Sequence, residues 1–175
     1  MKWFGKGRRD SARPALSRAQ GTAQGGAMFG EWPMRYEAQA RDAYCANPVA
    51  QRAVKLVAEG VGSAPLCASD PHIVALAGTR SGGQMLTETL AAQLLLHGNA
   101  YVRILCDGEG NVAELFALRP ERVSVEPDAN GWPVAYRYRV GQHVERLIAE
   151  DADGRPAIVH IKAFHPLDDH YGLGC

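Results

Sequence analysis

The chain has 175 residues, 46% of them hydrophobic, and its 19 basic side chains balance 19 acidic ones. That excludes a disordered polyelectrolyte and allows a core that buries roughly 70% of the unfolded surface. The longest apolar runs, such as Leu94–Leu96, are far too short to span a bilayer, and the basic N-terminus lacks the apolar segment of a secretory signal.

Residues 1–34 read as a flexible basic leader, rich in Gly, Arg and Ser and closed by Trp32-Pro33. Within residues 1–30, Lys2, Lys6, Arg8, Arg9, Arg13 and Arg18 face only Asp10, so the remaining chain carries the acidic excess. Such a tail suits nucleic acid or an acidic surface, or is simply a solvated leader. Residues 35–175 follow as one α+β domain: helices first, then an antiparallel meander.

A short helix over 35–46 must stop near Asn47, because Pro48 disfavours the α region before it. Asn47-Pro48 then opens a second helix, with Asn as the cap and Pro at the first helical position. Val49, Ala53, Leu56 and Val57 form its apolar side, and Gly60, Gly62 and Pro65 end it. A third helix covers 84–97. Ser81 with Gln84 has capping-box spacing, Leu86, Leu90 and Leu94 make a stripe, and Gly98 is the stop.

From Ala100 the hydrophobic period becomes two, and Cys106 reads as a small core residue. Asp107-Gly108 through Gly110-Asn111 turns the chain into strands 112–118 and 123–126. Asn130-Gly131 predicts a type I′ hairpin shaped by Trp132 and Pro133, whose flanking strands 123–126 and 134–140 pair. Gly141-Gln142 leads to 144–148, and Asp153-Gly154 to a last strand over 157–164. The closing Gly172 and Gly174 form punctuation that normally joins one element to the next. The expectation is therefore that these residues are the front part of something larger.

No catalytic pattern emerges. Phosphate-loop spacing and the Gly-x-Ser-x-Gly elbow are absent, and Cys45, Cys67, Cys106 and Cys175 contain no C-x-x-C pair. His160, His165 and His170 with Asp168 and Asp169 could supply metal ligands, yet they straddle Pro166 and share no fixed face. The alternative has Asp168 capping a following helix and the histidines bonding locally. Arg119, Arg122, Arg137 and Arg139 interleave with Tyr136 and Tyr138. That arrangement fits a small nucleic-acid-binding domain, or cross-strand ion pairs and a contact with a neighbouring subunit.

Four segments together carry a family resemblance. They are Asn47-Pro48-Val49-Ala50 on to Pro65-Leu66, Leu94 to Val102, Glu114 to Val123 continuing to Tyr136-Arg137-Tyr138, and His160 to Leu173. In this order they resemble the portal proteins of tailed bacteriophages and gene transfer agents. The resemblance implies a structural, non-enzymatic wing module without cofactor or metal, part of a dodecameric ring at one virion vertex that assembles in the host cytoplasm. Its partners would be further copies of itself, the major capsid protein, the terminase, a head–tail adaptor and duplex DNA passing through the channel without sequence readout. In that family the channel helices, the clip and the tunnel loop follow the region matched here, so ring closure would lean on them. Arg119, Arg122, Glu126 and Arg137 are the candidate subunit contacts.

Overall fold

The computed structural model describes Leu16 and residues 40–81, 84–151 and 153–175. The expected leader lies outside the described residues except at Leu16, whose N–H donates to the Asn130 carbonyl at 2.9 Å. A π-helical turn, Ala40–Cys45, precedes α1, Pro48–Gly62. The start of α1 follows from its sequence: Asn47 is extended, and its side chain accepts from Val49 and Ala50 N–H at 3.0 and 3.2 Å.

The buried face of α1 departs from the expected one. Val49, Leu56 and Val57 are 78%, 59% and 50% exposed, while Ala58 and Gly62 are buried. Close approach to the next long helix explains this: a Cβ on Gly62 would lie 2.9 Å from the Glu88 Cβ. Small residues make the crossing, and the larger aliphatics are left outside it.

An unanticipated helix, α2, spans Pro71–Ala77. Asp70 caps it through His72 N–H at 2.8 Å, repeating the Asn47-Pro48 device as Asp70-Pro71. Strands β1 (Arg80–Ser81) and β2 (Gln84–Met85) then pair with each other, Ser81 opposite Gln84. The expected capping box is therefore a small hairpin, and α3 runs Leu86–His97 from a Met85 cap with no side-chain hydrogen bond. Gly98 ends α3 in the left-handed region (φ 74°), its N–H on the Leu94 carbonyl at 2.9 Å.

The meander folds into two antiparallel three-stranded sheets. β3 (Asn99–Cys106) lies between β4 (Val112–Leu118) and β8 (Ile158–Lys162). β6 (Pro133–Val140) lies between β5 (Val123–Pro127) and β7 (His143–Ile148), with a 3₁₀ turn, Pro120–Arg122, linking β4 to β5. α3 covers β3 and β4 on one side. On the other, Tyr101, Leu118 and Ile158 meet Val123, Val125, Tyr136 and Leu147 in the core. Arg103 on β3 forms a bidentate pair with Glu145 on β7, at 2.8 and 2.7 Å, tying the two sheets together.

Three hairpin tips share one construction. In Asp107–Gly110, Asp128–Gly131 and Asp151–Gly154 the last N–H donates to the first carbonyl at 3.0–3.1 Å, and each glycine has positive φ. Each aspartate also accepts two backbone N–H groups, two and four residues on, at 2.8–2.9 Å. This is the turn-plus-bulge geometry of a three-residue hairpin. The strands flanking Asn130-Gly131 do pair, Val125 opposite Tyr136. Their turn is organised by Asp128 and Gly131, not as a two-residue type I′ loop. Trp132 contributes its backbone to this turn, and Pro133 opens β6. Cys106, expected in the core, is exposed where β3 enters the first tip.

Candidate subunit-contact faces

Side-chain alternation sends Tyr136 and Tyr138 of β6 inward and Arg137 and Arg139 outward. Tyr136 is buried and Tyr138 packs partly on the core, so the two tyrosines do not share an exposed face with Arg137 and Arg139. Burial pushes the Tyr136 hydroxyl up to about 12. On the outer face Arg137 stands opposite Arg146 of β7, an unfavourable pairing by itself. Glu126 on β5 bridges them, 3.1 Å from Arg137 Nε and 2.8 Å from Arg146 Nη2. The hydrogen bond from Arg146, then that from Arg137, hold its carboxyl below the usual carboxylate range. Arg146 was not among the candidates; only the β6–β7 register brings it beside Arg137.

Arg119 and Arg122 lie elsewhere. Arg119 caps the 3₁₀ turn and Arg122 ends it, and both line a cavity of about 950 Å³ between that turn, α3 and the Ala40–Cys45 turn. Arg41 lines the same cavity, with Tyr44, Phe116 and Tyr138 as aromatic walls. Arg119 pairs with Glu121 at 3.5 Å. The four expected contact residues therefore fall on two separate faces, Glu126 with Arg137 on one and Arg119 with Arg122 on the other.

The histidines are each engaged singly. His160 stacks on Tyr101 with ring centroids 4.2 Å apart, and its Nε2 meets Asn99 Oδ1 at 3.0 Å. Burial, and then the charge of Lys162, push it down to about 3. His165 Nδ1 accepts from Leu167 N–H, and His170 Nε2 meets the Gly131 carbonyl at 2.6 Å. Asp168 does cap, but it caps a turn through His170 and Tyr171 N–H and no helix follows. Among the described residues no three His, Cys, Asp or Glu side chains converge on a point that could hold a metal.

What the fourth segment does instead is fasten the domain. Buried Asn99 donates to the carbonyls of His97 and Gly172 and accepts from Gly172 N–H at 2.7 Å. A Cβ on Gly172 would sit 2.0 Å from the Gly98 carbonyl oxygen, so only glycine allows this approach. Tyr171 reaches β5, its hydroxyl accepting from Val125 N–H at 3.0 Å. The second and fourth sequence segments thus meet at Asn99.

The family model for phage portal protein matches residues 48–175, which include every element of both sheets and all three α-helices. The chain belongs to the phage portal protein family. Chains of gene transfer agent particles share its fold. Matched structures include the virion of a native particle (39% identity, TM-score 0.71, 85% of this chain, 41% of that one). The neck of an empty particle computed with C6 symmetry gives 39% and 0.72, covering 85% and 42%. The neck of a native particle computed with C12 symmetry gives 38% and 0.71, covering 85% and 41%. Uncharacterized proteins of Rickettsia felis and Rickettsia bellii are each 26% identical, over 77% and 75% of this chain and 37% of theirs. The chain thus spans well under half the length of these relatives. Among the described residues no helix is long and apolar enough to cross a membrane.

Proposed function

We propose that this chain is a structural subunit of the portal of a phage or gene transfer agent particle, working as a wing module without catalysis. The observation that carries this is the likeness to chains of gene transfer agent virion and neck structures at 38–39% identity over 85% of this chain. Repetition of one subunit around an axis uses a heterologous contact, in which two different patches of each copy meet. Exposed charged faces suit such a contact, and Glu126–Arg137–Arg146 supplies one. The ring is dodecameric, by analogy with the neck solved with C12 symmetry. Duplex DNA, the shell protein, the terminase and a head–tail adaptor are its partners, at the virion vertex and, during assembly, in the host cytoplasm.

Deletion of the gene tests the reading. Particles from the deletion strain should hold no nuclease-protected DNA, and complementation should restore it. Normal amounts of protected DNA without the gene would overturn the reading.

A further inference from the structure

The two ends of the β3–β4 hairpin carry opposite charge. One end is the cavity beneath the 3₁₀ turn, where Arg41, Arg119 and Arg122 face a single carboxylate, Glu121. The other is the tip at Asp107–Asn111, beside the second tip that begins at Asp151. The two tips adjoin, since Arg155 Nη1 lies 3.9 Å from where a Gly110 Cβ would stand. Asp107, Glu109, Glu150, Asp151 and Asp153 outnumber Arg155 there, and all are exposed. The length of β4 separates the two ends, roughly 20 Å at about 3.4 Å per residue.

We infer that the acidic tip of one copy docks in the Arg41–Arg119–Arg122 cavity of the next copy, so that subunits join head to tail. This rests on the ring reading and specifies its contact. Charge complementarity selects a second copy as the occupant: the cavity is basic, the same chain carries a projecting acidic hairpin, and the aspartate-bonded turn holds that hairpin rigid. The hairpin and the cavity are different patches at opposite ends. The contact is therefore heterologous, and copies add beyond a dimer. Tyr44, Phe116 and Tyr138 give the cavity apolar walls, and the guanidinium groups give it direction.

The test uses three forms of the 175-residue chain in analytical ultracentrifugation over a range of salt. They are the parent, a tip variant (Glu109→Lys, Glu150→Lys and Asp153→Lys) and a cavity variant (Arg119→Glu with Arg122→Glu). The parent should self-associate in a concentration-dependent way that weakens with salt. Each variant alone should associate at least tenfold more weakly, because its two ends now repel. An equimolar mixture of the two should regain the parental behaviour and grow beyond dimers, because every tip again meets a cavity of opposite charge. That recovery also shows that both variants fold. Unchanged association in either variant, or a mixture no better than its components, overturns the contact. So does a parent that stays monomeric at every concentration. None of these results touches the protected-DNA test, so failure of the contact is distinguishable from failure of the portal reading.

Discussion

Asn99 shows how much one side chain carries here. Its amide donates to two carbonyls and its oxygen accepts from Gly172 N–H, all in a buried site. Replacing Asn99 with Ala leaves both backbone groups of Gly172 without this partner, and each buried group so stranded costs about 1–3 kcal/mol. Urea unfolding of Asn99→Ala should lose roughly 3 kcal/mol, and a loss under about 1 kcal/mol would show that the clasp is dispensable. His160 adds a pH dependence. Its folded pKa is depressed to about 3, so the unfolded chain binds the proton first as pH falls. Stability is complete above the ordinary histidine pKa of about 6.5 and declines as pH drops from there towards 3. His97, also lowered by burial, acts in the same direction. The loss between pH 7 and 5 should be on the order of 1–2 kcal/mol, and His160→Gln should flatten it; an equally steep profile in the variant would exclude His160 as its source. None of this was legible from sequence. The partners of Asn99, His160 and Gly172, lie 61 and 73 residues from it along the chain, and a local pattern offered only a metal site, a helix cap or unspecified local bonds.

Elements whose signals are local were read well where the chemistry sits in two or three residues. Asn47-Pro48 and Gly98 set helix ends as expected, and a strand does run through Ala100–Cys106, but it is buried on both faces at its start and exposed at its end instead of alternating. One helix start went unread and one set of turns was misassigned, each for an identifiable reason. Asp70-Pro71 carried the same start signal as Asn47-Pro48, but its helix is only seven residues long and has no buried residue to create a periodic pattern. The hairpin turns were assigned to Asn-Gly and Asp-Gly pairs, whereas the operative pattern is Asp-x-x-Gly, with the aspartate side chain bonding two N–H groups. Asp128→Ala should therefore destabilise the protein by about 1–2 kcal/mol in chemical unfolding. Asn130→Ala, which keeps the Asp128 bonds, should cost less than half as much. The opposite ranking would restore the Asn-Gly account.

For the whole molecule, the family membership was legible because four modest segments occur in one order, and the structure shows what unites two of them: the Asn99 clasp. The contact faces were only half legible. Glu126 and Arg137 do meet, but Arg146 was missed and Arg119 and Arg122 belong to a different surface, since strand register and sheet stacking decide which charges share a face. Exposed ion pairs each contribute about 0–1 kcal/mol, so the 175-residue chain should form small, concentration-dependent oligomers in mass photometry. Closed dodecamers of this chain alone would mean that these faces suffice for the ring. The most direct measurement is an electron cryomicroscopy reconstruction of the neck in particles from cells carrying this gene. The account predicts twelve copies of this two-sheet domain around the axis at one vertex, with the Asp107–Asn111 hairpin of each against the Arg119–Arg122 turn of its neighbour. Particles with full DNA content and no such domain at the neck would contradict it.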